Sequence, residues 1–241
     1  MSFLWHAYPS ARAAGEACAE HVAGLLHRAV LERDWATLAV SGGATARLLF
    51  EPLARVALPW PRLHLFWVDE RAVPPSDPQS NSLLAEETLV APARIPRGNV
   101  HRIHGELAPE AAAQRYEEDI RNFFGLTSGE LPRFDVIHCG LGADGHIASL
   151  FPGSPLLADR TGIVGVACAA RLGQKRVTLL PAVLRNAAHV IFLVTGPDKA
   201  EAVRAAIEEA ENPDRYPAHL LRGRQVRWFL DEAAARLLRA P

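Results

Sequence analysis

Residues 37–45 read Thr-Leu-Ala-Val-Ser-Gly-Gly-Ala-Thr, and this stretch decides the fold. The short apolar run predicts a buried strand, and the glycine pair behind it predicts a tight turn. A helical pattern then begins at Ala44 and runs to Val56. A strand, a glycine turn and a helix in succession are typical of one unit of a parallel α/β sheet.

The same alternation continues on both sides of this stretch. The sequence predicts strands at 37–40, 63–68, 134–139, 162–168, 190–194 and 226–230, and helices at 11–33, 44–56, 81–90, 109–123, 198–211 and 232–239. Strands separated by helices predict a mostly parallel sheet that is covered on both faces. The long irregular stretch at 91–105 reads as an excursion, so we expect a single α/β domain over residues 1–241.

Composition and charge exclude several classes of protein. The 241 residues are 49% hydrophobic, and 26 Lys and Arg against 27 Asp and Glu leave a formal net charge of −1. This is an ordinary globular composition with no basic excess for nucleic-acid binding. No apolar run reaches the roughly 18 residues of a membrane span, and the first residues do not resemble a secretory signal. Cys18, Cys139 and Cys168 are widely spaced, which predicts buried thiols in a reducing compartment, the cytoplasm.

Polar or glycine-rich segments follow four of the predicted strands, at 41–43, 69–71, 140–146 and 195–199. Parallel strands end at the same edge of a sheet, and ligands of open α/β sheets bind beyond the carboxyl ends of the strands. The sequence therefore predicts one composite site at this edge.

The segment at 41–45 has the features of a phosphate site. Its glycines let backbone N–H groups approach a ligand, while Ser41, Thr45 and the helix N-terminus add donors and partial positive charge. A Walker A loop is excluded because the segment is too short and Arg47 stands where that motif has lysine. Lys199 opens a later helix, where a cation opposes the helix dipole, and this placement suggests an anionic ligand. A simple capped turn and an exposed surface lysine are the alternatives.

The segment at 140–145 matches the pattern GxGxxG behind a strand. A dinucleotide site needs a long helix next, and Pro152 and Gly153 stop any such helix. We therefore interpret the segment as a glycine loop that presents Asp144 and His146 to the site. An imidazole titrates near neutral pH and suits a general base.

Other polar residues fit a site less well. Asp69 directly follows an apolar strand and is a site candidate, whereas we expect Glu70 to belong to a structural salt-bridge cluster. His138 and Cys139 alternate across a strand and cannot share a metal, so we expect no metal site. Ser149 lacks the Gly-x-Ser-x-Gly context of a nucleophile.

The motifs also occur in a familiar order: 41–45, 69–71 with Val73-Pro74, Asp77 and Ser80-Asn81, then 140–152 (GLGADGHIASLFP), 176–179 and 196–199. In this order, and over nearly the whole chain, the sequence resembles the glucosamine-6-phosphate isomerase/6-phosphogluconolactonase superfamily, on its 6-phosphogluconolactonase side. The resemblance implies a Rossmann-like three-layer α/β/α fold. Ala44 departs from the family, which more often has serine there, and this bears on phosphate affinity.

The resemblance also implies an activity, the hydrolysis of 6-phospho-D-glucono-1,5-lactone, without a metal or organic cofactor. By motif match, His146 is the general base that activates water, Asp69 lines the reaction centre, and Arg71 positions the substrate or stabilises developing negative charge. The match assigns binding of the substrate or its phosphate to Ser41, Gly42, Gly43, Ala44, Thr45, Asn81, Gly142, Asp144, Gly145, Arg176 and Lys199.

Two alternatives stay open at this point. An amino-sugar-phosphate isomerase or deaminase uses the same loops, but that branch carries Phe-Asn-Glu behind Asp-Gly-His, where 148–151 reads Ala-Ser-Leu-Phe. A non-catalytic sugar-phosphate sensor does not need His146 and normally carries an effector segment. For either enzyme the expected partner is a small molecule, with no nucleic acid or membrane, and the expected state is a monomer or weak homodimer.

Overall fold

The predicted strand–turn–helix unit is present in the computed structural model, which describes residues 4–169, 173–223 and 225–239. It forms the strand β2 (Ala36–Val40) and the helix α2 (Ala44–Leu53). Every residue of β2 is buried, which places helices over both faces of the sheet at this strand, because successive side chains point to opposite faces.

The central sheet has seven parallel strands in the order β1-β10-β9-β6-β2-β3-β5. Their bounds are β1 Leu4–Tyr8, β2 Ala36–Val40, β3 Leu63–Trp67, β5 Val100–His101, β6 Val136–Cys139, β9 His189–Val194 and β10 Val226–Asp231. In the register, Val40 pairs with both Trp67 and His138, so β2, β3 and β6 end within one residue of one another. This alignment brings their following loops to one edge.

Eight α-helical segments lie among the described residues. They are α1 Ala11–Arg33, α2 Ala44–Leu53, α3 Asn81–Ala85, α4 Ala91–Ala93, α5 Pro109–Phe124, α6 Pro181–Asn186, α7 Ala200–Glu208 and α8 Glu232–Ala235. A π-helical turn at Glu86–Val90 joins α3 to α4, and a 3₁₀ turn at Pro197–Lys199 precedes α7. One contiguous hydrophobic core packs the sheet between its helices. The predicted mostly parallel, doubly covered α/β sheet is confirmed.

The strand predicted at 162–168 is real but does not belong to the central sheet. It forms β7 (Val164–Ala169) in a second, antiparallel sheet with β8 (Gln174–Leu179) and β4 (Asp69–Arg71). β4 and β8 are not predicted from the sequence because both carry charged residues, and β1 at the sheet edge is also not predicted. The second sheet matters for function because it flanks the carboxyl ends of the central strands.

The ends of several helices, the structure of residues 91–105 and the exposure of one cysteine also differ from the predictions. Helices predicted to 56, 211 and 239 end at Leu53, Glu208 and Ala235. The excursion at 91–105 contains α4 and the short strand β5. Cys18 and Cys139 are buried as expected, but Cys168 is exposed; it lies on β7, an edge strand that pairs only with β8. Among the described residues, no helix is long and apolar enough to cross a membrane.

Candidate active site

A cavity of about 590 Å³ opens at the carboxyl ends of β2, β3, β6 and β9. It is lined by Ser41, Gly42, Gly43, Ala44, Thr45, Leu48, Asp69, Arg71, Asn81, Gly140, Leu141, Gly142, His146, Ala148, Arg176, Thr195, Asp198 and Lys199. All four segments predicted to meet at one edge contribute to it. Of the individually predicted site residues, only Asp144 and Gly145 do not line the cavity, and both lie in the loop that carries His146.

The phosphate-loop candidate forms one wall. Gly43 caps α2 without a side-chain hydrogen bond, and the structure records no acceptor for the backbone N–H groups of residues 42–45 within its described ranges. Free N–H groups at a helix N-terminus are a ready site for an anion. Gly42 lies so close to Asn81 that an added Cβ would fall 1.8 Å from the amide oxygen, so this position requires glycine.

Asn81 ties this wall to the neighbouring one. Its side-chain amide donates to the backbone oxygen of Asp69 at 2.8 Å. Glu70 accepts hydrogen bonds from Ser80 Oγ and from the backbone N–H groups of Asn81 and Ser82. The expected salt-bridge cluster around Glu70 is therefore wrong: the buried carboxylate caps α3, because backbone N–H groups rather than cations surround it. This capping fixes Asp69 and Asn81 at the cavity edge.

His146 and Asp144 form the chemically distinctive pair of the site. Nδ1 of His146 lies 2.5 Å from Oδ1 of Asp144, and this hydrogen bond lowers the pKa of Asp144 to about 2. An ionised carboxylate only accepts, so Nδ1 carries the proton and Nε2 is left with a free lone pair. A Cβ at Gly142 would lie 2.0 Å from Nδ1, so only glycine leaves room for this ring. Gly145 donates to the oxygen of Gly142 at 2.9 Å and closes the turn.

Asp69, Arg176 and Arg71 line the side of the cavity next to the second sheet. The Asp69 carboxylate is buried, accepts from Ser149 Oγ at 2.7 Å, and lies 4.0 Å from Nη1 of Arg176. Burial lowers the pKa of Arg176 from its ordinary value, and its Nε has no hydrogen-bond partner among the described residues. Arg71 donates to the backbone oxygen of Gln79, and its Nε is likewise buried without a described partner. Both arginines line the cavity, and neither guanidinium has all its donors paired within the described residues.

Lys199 closes the cavity from the β9 side. It ends the 3₁₀ turn at Pro197–Lys199 and caps α7, as predicted, and its Nζ lies 3.3 Å from Oδ2 of Asp198. Asp198 and Thr195 were predicted only as part of the strand end and line the cavity beside it. The ammonium thus reaches the same cavity as the N-terminus of α2.

Sequence reasoning missed two supporting residues. Ser149 lacks the sequence context of a nucleophile, and Thr178 stands in the 176–179 motif without an individual role; in the structure Thr178 Oγ1 accepts the N–H of Ser149 at 3.2 Å. The contact between Ser149 and Asp69 spans 80 residues of sequence, and no local pattern signals it. Within the described ranges no group of three His, Cys, Asp or Glu side chains is arranged to hold a metal ion.

An imidazole base, free helix N-terminal amides and cationic side chains at the carboxyl edge of a doubly covered parallel sheet define an α/β enzyme. The family model for glucosamine-6-phosphate isomerases/6-phosphogluconolactonase matches residues 9–229. The chain belongs to this family.

Known members of the family are similar over most of their length. The 6-phosphogluconolactonase of Synechocystis is 40% identical over 216 residues, which cover 88% of each chain. The crystal structure of 6-phosphogluconolactonase from Leishmania guyanensis superposes with a TM-score of 0.89 at 26% identity and covers all of both chains. That from Thermotoga maritima superposes with a TM-score of 0.82 at 28% identity, covering 95% of this chain and all of the other.

Proposed function

We propose that the chain is a 6-phosphogluconolactonase, which hydrolyses 6-phospho-D-glucono-1,5-lactone to 6-phospho-D-gluconate in the oxidative pentose phosphate pathway. The observation that carries the proposal is the hydrogen bond between Asp144 and His146, which leaves Nε2 as a base on a ring that lines the same cavity as the N–H groups of residues 42–45. The names of the relatives support the same activity.

The substrate's phosphate binds the N–H groups of residues 42–45 and the ammonium of Lys199. A dianion at a helix N-terminus is stabilised by both the backbone donors and the dipole. The hydroxyls of Ser41 and Thr45 lie in the same wall and add donors. This anchor places the lactone ring over His146 and the guanidinium groups.

The hydrolysis follows from what each remaining group can do. Nε2 of His146 takes a proton from water as its oxygen attacks the lactone carbonyl, and Asp144 stabilises the imidazolium that forms. Arg71 and Arg176 face the negative charge that develops on the carbonyl oxygen. When the ring C–O bond breaks, the imidazolium returns the proton to the leaving oxygen, which becomes the hydroxyl of the open-chain acid. Asp69 lines the reaction centre and accepts from a substrate hydroxyl.

The test is a hydrolysis assay on freshly generated lactone, with the spontaneous rate subtracted and with glucosamine 6-phosphate as the alternative substrate. We expect turnover of the lactone and none of the amino sugar. Prior dialysis against a strong chelator should leave activity unchanged, since no ligand set for a metal is predicted. Failure to accelerate lactone hydrolysis overturns the proposal, and chelator-sensitive activity overturns its metal independence. The cytoplasmic location and the monomeric or weakly dimeric state remain predictions.

A further inference from the structure

We infer that Ser149 is a positioning residue that holds the Asp69 carboxylate and prevents it from forming a direct, hydrogen-bonded ion pair with Arg176. The inference rests on the proposed function, because it assigns Ser149 a part in the same reaction. It concerns a residue that does not line the cavity.

The evidence is the arrangement of Ser149 and Arg176 around one carboxylate oxygen of Asp69, Oδ2. Oδ2 accepts the hydroxyl proton of Ser149 at 2.7 Å, while Nη1 of Arg176 stands 4.0 Å from the same oxygen, beyond hydrogen-bond distance. All three residues are buried. A guanidinium and a carboxylate this close and this dry ordinarily form a direct, often bidentate pair. The serine takes the position that the arginine would take.

Because Asp69 and Arg176 do not form a direct hydrogen bond, each remains available to a ligand. The other carboxylate oxygen of Asp69 accepts no hydrogen bond from the described residues, so it is free to accept from the substrate. Arg176 lines the cavity without a direct hydrogen bond to Asp69, so its guanidinium stays available for an anionic or carbonyl oxygen. If Asp69 and Arg176 formed a direct ion pair, they would hydrogen-bond to each other and neither would be available to the substrate.

Ser149 is itself held firmly. It is fully buried, and its N–H donates to Thr178 Oγ1 at 3.2 Å. It lies in a turn closed by the N–H of Leu150 donating to the oxygen of Ile147 at 2.9 Å. Ala148, between them, has φ of 50°, a left-handed conformation that is unfavourable for alanine. This strained turn follows His146 directly, so the contact with Asp69 also fixes the spacing between the base and the carboxylate.

The hydroxyl of Ser149 is not a nucleophile. Its proton goes to Asp69 and not to His146, and the side chain has no access to solvent. Its effect on catalysis must therefore pass through Asp69.

The test compares Ser149→Ala with Ser154→Ala in the steady-state lactone assay. Ser154 is the matched control because it lies in the following turn and donates nothing to the cavity; it only caps the 3₁₀ turn Pro155–Ala158. We expect kcat/KM of Ser149→Ala to fall roughly tenfold or more, the scale of a lost hydrogen bond to a charged group, and that of Ser154→Ala to stay within about threefold. Ser149→Cys, which keeps a weak donor of similar size, should recover part of the loss.

A double-mutant cycle separates positioning from general disruption of the turn. If Ser149 acts through Asp69, then Ser149→Ala should cost less than about threefold when Asp69 is already alanine. The pH profile of Ser149→Ala should keep its wild-type shape at a lower level, since the base is intact. An unchanged kcat/KM, or an equal cost in both backgrounds, overturns the inference.

The experiment distinguishes failure of the proposed function from failure of the inference about Ser149. If the wild type does not hydrolyse the lactone, the proposed function fails; if it does and Ser149→Ala matches it, only this inference fails. Should Ser149→Ala not fold, Thr178→Val removes the acceptor that holds Ser149 and is close to isosteric. We expect Thr178→Val to lower kcat/KM, and a wild-type value would overturn the inference.

Discussion

Arg71 and Arg176 are direct cross-strand partners in the antiparallel pair of β4 and β8. Like charges placed opposite each other destabilise a sheet. Burial lowers the pKa of Arg176, and the charge of Arg71 lowers it further while Asp69 opposes both. The pairing is unfavourable by itself and becomes favourable when an anion lies between the two groups, which is what a substrate-binding edge requires.

Arg176→Met should separate activity from stability. We expect kcat/KM to fall at least about tenfold, because a hydrogen bond to a charged group contributes ~1.5–3 kcal/mol. The free energy of unfolding should change far less than the activity, since the lost attraction to Asp69 is offset by removal of a buried cation and of its repulsion of Arg71. The measurements are lactone kinetics and urea unfolding, with the exposed Arg115→Met as control. Wild-type activity in Arg176→Met would contradict the assignment.

His146→Ala should lower kcat at least ~100-fold, the usual scale for loss of a general base. Asp144→Asn tests the orientation of the ring. The amide can donate to Nδ1, which places the proton on Nε2, and an imidazole in that tautomer cannot accept a proton from water. We therefore expect Asp144→Asn to reduce kcat strongly as well.

The control for this pair is His104→Ala, since His104 contacts Glu106 outside the cavity. Because the pKa of Asp144 is held at about 2, this carboxylate stays ionised over the working pH range. If kcat of the wild type depends on pH above pH 5 and this dependence is absent from His146→Ala, it reports titration of the imidazole. A folded His146→Ala variant with near wild-type kcat would remove His146 from the mechanism.

Lys199→Ala tests whether the substrate's phosphate is a main handle. The ammonium should contribute ~1.5–3 kcal/mol, so kcat/KM should fall roughly 10- to 150-fold. Both KM and kcat should change, because binding energy from the phosphate also orients the lactone. The matched comparison is glucono-1,5-lactone, which should react far less efficiently than its 6-phosphate and should be affected little by Lys199→Ala. Equal kcat/KM for the two lactones would exclude a phosphate site here.

How much of this could be predicted from the sequence differs between elements. The apolar strand at 36–40 and the glycines behind it follow local rules, so the central sheet and the meeting of its loops were predictable. β4 and β8 were not, because Asp69–Arg71 and Gln174–Leu179 are largely polar and become strands only by pairing within the second sheet, β4 with β8 and β8 also with β7. The pairing of Arg71 with Arg176 depends on that register.

The same limit applies to side chains within the site. His146 and Asp144 are two residues apart, so their contact follows from a local glycine loop. Ser149 and Asp69 meet only through the tertiary fold. The sequence predicts that Asp144 and Gly145 bind substrate. In the structure neither residue lines the cavity, and both lie in the loop that carries His146. Sequence spacing alone does not distinguish such a supporting position from direct contact with the substrate.

His138 should make the protein sensitive to mild acid. The ring is fully buried beside Phe50, and both its nitrogens lack partners among the described residues. Burial lowers its pKa from 6.5 to about 4. Between these values the unfolded chain binds a proton that the folded protein does not, so the free energy of unfolding falls as the pH drops, by roughly 3 kcal/mol in total, and is unaffected above 6.5.

His138→Leu should therefore flatten the dependence of unfolding free energy on pH between 7 and 4.5, measured by urea unfolding at several pH values. Leucine removes the proton-binding group while filling an apolar site, so stability at pH 7 should change little. His21 provides the comparison: burial lowers its pKa to about 4 as well, but the side chain is only partly buried and solvent screens it. His21→Gln should flatten the curve less than His138→Leu does. If wild type and His138→Leu lose stability in parallel as the pH falls, acid sensitivity arises from other groups and the buried imidazole contributes nothing to it.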